Sequence, residues 1–397
     1  MSKVRIFALG GLDEDGKNMY VVENNEDIFV MECGLKYPDG DQLGIEMIIP
    51  DFRYLRENQS RIKAIFITHG HEDVMAALPN LLREIPNIPV YTAPLTAMML
   101  ERKLKKAGIK ELNLHRIRRN AKFKIGNTEI RTFGTMQSIA DGFGVAIKTE
   151  DGYVVYSSEF IVDYDTKNAA FKFDITNITD LGSEGVLALL SESVGSTRAG
   201  SSSPHHRITE QIEQYFEDTK NRMFITVFNQ NLYRVIEIIE LATKYNRKVV
   251  IFDEELKSLM ADMAKLGYYH IPAGLEVAPS AFSNDMENIL VIVSGTGKSI
   301  FRKIHKMATK ENDRIELRPT DTVIIASPAV PGTEREEASM EDDLYKEAGR
   351  VLMIDSRRAY SMHASIGETV KHIIAIIVAE NTCRLGIALC CVSFSRI

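Results

Sequence analysis

The chain has 397 residues, 45% of them hydrophobic and 26% charged, with a net charge of −7 and no tryptophan. That length supports two domains with sizeable cores, while the mild acidity argues against bulk electrostatic attraction to nucleic acid and leaves room for a local basic groove. Four cysteines without a Cys-x-x-Cys pairing argue against a disulfide framework or a cysteine zinc site.

The opening Met1-Ser2-Lys3-Val4-Arg5 leads directly into a strand-like run without the profile of a secretory signal. Strands are expected over 3–9, 18–23 and 27–32, separated by Gly10-Gly11 and Asn24-Asn25, as a hairpin-rich opening. The glycines between Gly10 and Gly16 lack the Gly-x-Gly-x-x-Gly order that opens a helix, so they read as turn chemistry. Cys33 follows the third strand and has no basic partner in sequence, so it reads as a packing residue rather than a nucleophile.

Ala64-Ile65-Phe66-Ile67 then ends abruptly in Thr68-His69-Gly70-His71-Glu72-Asp73-Val74. Histidines two apart project to one side while strand geometry persists. Neutral imidazoles beside carboxylates are a ligand set for zinc or a similar divalent ion. A solvated polar loop is the competing reading, but a buried-type strand before the loop and a helical run at 74–84 after it favour a metal site.

A strand at Val90-Tyr91 and a helix over 95–106 follow. Lys103, Lys105, Lys106, Lys110, Arg116, Arg118 and Arg119 make this the most basic part of the first half, read as a solvated face with RNA contact as the alternative. Strands resume at 128–133, 144–148 and 153–157. Residues 198–204, Arg-Ala-Gly-Ser-Ser-Ser-Pro, have the composition of a linker, and His205-His206 beyond them read as a solvated loop. His115, His270, His305 and His372 stand alone in the sequence.

Beyond the linker, helices at 207–217, 231–245, 254–265 and 299–308 alternate with strands at 222–227, 248–252, 289–293 and 322–327. Such alternation implies a parallel sheet covered by helices. Ser294-Gly295-Thr296-Gly297-Lys298-Ser299 resembles a phosphate loop, but Ile292 stands where its first glycine belongs. A helix is expected over 366–379, and its apolar run at 373–379 is too short to span a bilayer. After Glu380 no acidic residue occurs, while Cys383, Cys390 and Cys391 crowd together, which reads as an altered end.

Several phrases together resemble the bacterial ribonuclease J family over roughly residues 3–370. They are Leu9-Gly10-Gly11 with Gly16-Lys17-Asn18, Gly34-Leu35 with Ile48-Ile49-Pro50-Asp51, the segment from Lys63 to His71, and the segment from Glu184 to Ser191. The chain is similar to the second, less active paralogue of some Gram-positive bacteria. The resemblance implies an α/β protein: a metallo-β-lactamase αββα sandwich over 1–203, an inserted parallel-sheet β-CASP domain over 204–352, and a return to the first domain over 353–397 with a truncated or altered end.

The resemblance also implies a metal-assisted attack of water on an RNA phosphodiester, 5′-to-3′ with internal cuts as a second mode. His69, His71 and Asp73 match the ligand motif, and Glu159 stands for its bridging aspartate. Glu32 stands where an aspartate buttresses the metal loop, and Glu192 at the acidic position of the β-CASP region. Val74 and Gln137 replace two ligand histidines, in Asp73-Val74 and in Met136-Gln137-Ser138-Ile139-Ala140-Asp141. The reduced set implies one ion, zinc or manganese or magnesium, or none. Asp73 and His363 take the catalytic roles. Ser361, His363, Asn231 and Arg234 take the RNA and phosphate contacts, although Ala359 and Met362 depart from the family's phosphate-gripping phrase. The expected partners are RNA and either a second copy or an active ribonuclease J paralogue, in the cytoplasm and without a membrane. The alternative is an inactive paralogue that binds RNA or that partner.

Overall fold

A computed structural model describes residues 3–38, 42, 44–329, 333–354, 361–377 and 390–392. The chain forms two compact units, Met1–Pro204 with Met362–Ile397, and His205–Ser361.

The first unit opens with β1 (Val4–Gly10), β2 (Met19–Asn24) and β3 (Asp27–Met31), an antiparallel meander. After a short helix α1 (Arg53–Glu57) the chain turns parallel in β4 (Ile62–Ile67). Next come α2 (Glu72–Met75), α3 (Leu78–Glu84), β5 (Val90–Thr92), α4 (Pro94–Lys106) and β6 (Leu114–Arg116), and the sheet runs β1 to β6 in sequence order. The helix expected over 74–84 is broken. Ala77 gives its N–H to the Cys33 carbonyl at 2.9 Å, and Pro79, in the first turn of α3, has no N–H to continue α2.

A second sheet follows from β7 (Lys122–Ile125), β8 (Thr128–Gly134), β9 (Phe143–Thr149) and β10 (Gly152–Tyr156), which are antiparallel neighbours. Helix α5 (Ile175–Ser183) then leads to β11 (Val186–Glu192), parallel to β10. Tyr20, Phe29 and Phe66 of the first sheet pack with Phe143, Val145, Val154 and Leu190 of the second in one buried cluster. Removing that apolar surface from water is what holds the two sheets face to face.

The second unit alternates α6 (Thr209–Asp218), β12 (Met223–Phe228), α7 (Leu232–Lys244), β13 (Lys248–Ile251), α8 (Glu254–Lys265), β14 (Ile289–Gly295), α9 (Lys298–Ala308), β15 (Thr322–Ile325), α10 (Glu334–Glu347) and β16 (Arg350–Met353). Its sheet is parallel throughout, in the order β13-β14-β12-β15-β16. Every residue of β14 is buried, as an unbroken apolar run covered on both faces requires.

The chain returns to the first unit in α11 (Ile366–Ile377) and β17 (Cys390–Val392), which pairs in parallel with β11. The altered end expected after Glu380 lies, apart from β17, outside the described residues, as does Ala359. No helix of the described residues is long and apolar enough to cross a membrane.

Candidate metal centre

Strand β4 delivers the histidine loop, and two neighbouring segments clamp it. Asn18 donates its N–H to the Asp73 carbonyl at 3.1 Å, Cys33 to Val74 at 2.7 Å and Leu35 to Glu72 at 3.2 Å. The approach is so close that a Cβ on Gly34 would overlap the Asp73 carbonyl. Gly70 is packed against the Met99 side chain and Ile139 in the same manner. Around this loop three non-glycine residues hold left-handed backbone, Glu32 at φ 66°, Asp141 at 56° and Ser158 at 58°. Such conformations cost energy and collect at functional sites.

The loop brings His69, His71 and Glu159 together; their ligating atoms all lie within 4.8 Å of one another. His69 Nε2 is 3.0 Å from His71 Nδ1, and Glu159 Oε2 is 3.5 Å and 3.6 Å from those two atoms. Neighbouring hydrogen bonds select the tautomers. The Thr68 hydroxyl donates to Glu32 Oε1 at 2.6 Å, so its oxygen is left to accept from His69 Nδ1 at 2.9 Å, and the Nε2 lone pair faces the centre. His71 Nε2 is 2.9 Å from the Ser138 hydroxyl, leaving Nδ1 on the inside. Burial, helped by the neighbouring His71 ring, holds His69 neutral, with its pKa lowered to about 4. Burial pushes Glu32 up to about 8.

These donors fit an ion. Two ligand atoms about 2.0–2.1 Å from a tetrahedral zinc stand roughly 3.3 Å apart, close to the three separations found. Asp73 brings a second carboxyl group beside that of Glu159. Asn18 Nδ2 donates to its Oδ2 at 3.0 Å, and burial beside the Glu159 charge raises its pKa well above the usual carboxylate range. Val74 is buried and offers no lone pair from its side chain. Gln137 donates from Nε2 to the Glu159 carbonyl at 3.0 Å, and its buried Oε1 has no hydrogen-bond partner among the described residues.

His363 reaches the same centre from the returning segment. Its Nδ1 is 2.7 Å from Glu192 Oε2, while Glu192 Oε1 accepts the N–H groups of Phe160 at 2.7 Å and Ala364 at 2.9 Å. Burial alone would keep this imidazole neutral, but the carboxyl groups of Glu192, Glu159 and Asp73 outweigh it and lift the pKa to about 10. His363 is therefore an imidazolium at neutral pH.

The remaining expected residues lie elsewhere. In the second unit the Asn231 side chain accepts the Arg234 N–H and caps α7. The Arg234 guanidinium is buried and donates to the Ala326 carbonyl at 2.9 Å and the His206 carbonyl at 3.3 Å. Ser361 is exposed. His206 is not in a solvated loop. It is buried, its ring 5.2 Å from that of Tyr233. Segment 198–204, the expected linker, ends where the first unit gives way to the second, and it is anchored in the first unit by Ser202, which is fully buried and bonded to Glu368. Of the basic stretch, Lys103 pairs with Glu72 at 3.1 Å, Arg116 with Glu101 at 2.5 Å, and Arg119 donates to the Gly142 and Thr135 carbonyls at 3.0 Å. Burial pushes the Cys33 thiol up, away from nucleophilic character.

Sequence reasoning passed over two supports. Asp141 accepts the Leu95 N–H at 2.8 Å and so caps the first turn of α4 from the loop that carries Gln137. Glu368 closes a Ser-x-x-Glu capping box with Ser365, a signal that was visible in the sequence.

Two family models match the chain: "Metallo-beta-lactamase superfamily" over residues 12–172 and "Ribonuclease J, beta-CASP domain" over 220–344. Ribonuclease J2 of Bacillus subtilis (strain 168) is 34% identical over 364 residues, 91% of this chain and 65% of that protein. Ribonuclease J 1 of Streptococcus pyogenes serotype M3 is 32% identical over 333 residues, 83% of this chain and 59% of that protein. The chain thus spans less than two thirds of the length of these relatives. A crystal structure of a protein of unknown function from Enterococcus faecalis V583 shares the fold, with a TM-score of 0.64 at 16% identity, over 94% of this chain and 92% of that one.

Proposed function

The chain belongs to the ribonuclease J family, and from that premise we propose that it is a cytoplasmic, metal-dependent hydrolase of RNA phosphodiester bonds. It would work 5′-to-3′ on monophosphorylated RNA, with internal cleavage as a second mode. The observation that carries this reading is the convergence of His69 Nε2, His71 Nδ1 and Glu159 Oε2 within 3.0–3.6 Å. Two imidazoles and a carboxylate suit zinc first, with manganese or magnesium as alternatives. An ion held there would polarise a phosphoryl oxygen and make water a stronger nucleophile at neutral pH.

The chain's own groups divide the remaining work. Asp73, fixed by Asn18, would orient the attacking water. His363, held cationic by its carboxylate neighbours, would face the scissile phosphate as a positive charge that needs no second ion. Ser361 would add a hydroxyl contact. Asn231 and Arg234 would shape the loop opening α7 that meets the RNA backbone, Asn231 as its cap and Arg234 as its buried support.

A second reading has its own observation. Val74 and Gln137 stand where the resembled motif has ligand histidines, and Gln137 spends its amide on the Glu159 carbonyl. An inactive subunit, binding RNA or assembling with itself or an active ribonuclease J paralogue, would tolerate both. Degradation of a 5′-monophosphorylated RNA with added zinc or manganese decides between them, with wild type run beside a His69→Ala/His71→Ala double variant. Activity in wild type that the variant lacks supports the enzyme. Equal background rates in both retire it in favour of the partner subunit.

A further inference from the structure

Ser365-Ile366-Gly367-Glu368 opens α11 as a capping box, with the Glu368 carboxylate accepting the Ser365 N–H at 3.1 Å and its hydroxyl at 2.6 Å. A cap requires nothing more, yet the other oxygen is also engaged. Glu368 Oε1 accepts the N–H groups of Ser202 at 2.6 Å and Ser203 at 3.2 Å, the former 166 residues earlier in the chain. The side chain is completely buried, so these four donors take the place of water.

The two segments are joined along their length. Ile366 donates its N–H to the Arg198 carbonyl at 3.1 Å, and Gly367 to Gly200 at 2.8 Å. A Cβ on Gly367 would overlap the Gly200 carbonyl, and one on Gly195 the Ala364 carbonyl. Ser202, set in place by Glu368, turns its hydroxyl to the His363 carbonyl at 2.6 Å. On the opposite side Glu192 holds the His363 ring and the next N–H. His363 is thus held from two sides, its ring by Glu192 and its backbone carbonyl by Ser202, whose own N–H is bonded to Glu368.

We propose that Glu368 is a positioning residue for His363, acting through Ser202, in addition to capping α11. The inference rests on the reading that His363 meets the scissile phosphate. A carboxylate accepting several N–H groups makes charge-assisted bonds. Replacing it with an amide turns donors toward donors and leaves buried N–H groups unpaired. The segment carrying His363 then loses one of its two anchors, and a misplacement of about 1 Å in a reacting group costs up to a hundredfold in rate.

The test uses the full chain with Glu368→Gln, Glu368→Asp and Ser202→Ala, and histidine labelled with nitrogen-15. Glu368→Gln is expected to raise amide exchange over residues 198–204 about tenfold or more and to shift the His363 ring resonances while those of His115 and His305 stay fixed. Ser202→Ala removes the link to His363 but keeps the capping box. It is expected to shift His363 with α11 protection intact, and it decides the matter should Glu368→Gln fail to fold. Wild type that degrades RNA should lose about ten- to a hundredfold in kcat in both variants, with KM little changed, and Glu368→Asp should recover part of it. Wild type without nuclease activity ends the enzyme reading, yet the resonance and exchange measurements still decide the positioning role. His363 resonances that match wild type in Ser202→Ala overturn the proposal, leaving Glu368 a helix cap alone.

Discussion

His69 Nε2 and His71 Nδ1 face each other across 3.0 Å with Glu159 Oε2 beside both, so that two ring nitrogens and a carboxylate oxygen turn toward one point. Wild type is expected to take up one equivalent of zinc by calorimetry and elemental analysis. His69→Ala or His71→Ala alone should weaken the affinity about a hundredfold or more, since each removes a ligand, and the double variant should bind none. Two tight equivalents in wild type would contradict the ligand inventory.

Restoring the absent donors tests the same inventory from the other direction. Val74 is buried directly after Asp73, and the Gln137 amide lies 3.0 Å from the Glu159 carbonyl. Val74→His/Gln137→His is expected to raise the stoichiometry above one ion and RNA hydrolysis about tenfold or more, because a two-ion clamp stabilises both the attacking and the leaving oxygen. Without metal the Val74→His change should destabilise the fold by about 1–3 kcal/mol, through burial of an unpaired imidazole. An unchanged stoichiometry would place the deficit beyond these two positions.

The parts of this structure legible in the sequence are those written in local pattern. The apolar run of β4 ending at His69 announced the loop, and the helix–strand alternation after residue 205 announced a parallel sheet. Strands β6 and β7, short and rich in Lys, His and Arg, carry too little apolar alternation to stand out, and α10 buries only Met340 and Leu344 from fourteen residues. Glu368 shows the other limit. Its capping box is a four-residue signal, but its hold on Ser202 depends on a contact 166 residues away that no local period encodes. His206 misleads for a similar reason, since two adjacent histidines after a Ser-rich stretch look solvated until Tyr233 covers one of them.

Asn231 separates a helix cap from an RNA contact. Its side-chain oxygen accepts the Arg234 N–H at 3.1 Å, so Asn231→Ala should cost about 1 kcal/mol in denaturant unfolding. Asn231→Asp keeps the cap and should fold as wild type does. If the α7 loop meets the RNA backbone, the added negative charge should weaken RNA binding severalfold, most strongly at low salt. Unchanged RNA affinity in Asn231→Asp would restrict Asn231 to capping.

His372 sets a pH limit on the fold. It is completely buried on α11, its ring 4.7 Å from that of Phe160 and 6.0 Å from that of Phe173. Neither ring nitrogen has a hydrogen-bond partner among the described residues. Burial lowers its pKa from the ordinary 6.5 to about 4. Between those values the unfolded chain binds a proton that the folded chain refuses, so stability rises with pH across that window. The contribution is fully present above pH 6.5 and is lost as pH falls toward about 4, amounting to on the order of 3 kcal/mol. Below that both states carry the proton and the dependence ends. His372→Phe removes the titrating group while keeping an aromatic ring between Phe160 and Phe173. In denaturant unfolding at about pH 7 and about pH 5, the variant should gain on wild type by about 2 kcal/mol at the lower pH. Parallel profiles for the two proteins would mean that the folded state accepts the His372 proton, and that this imidazole has water or a partner beside it.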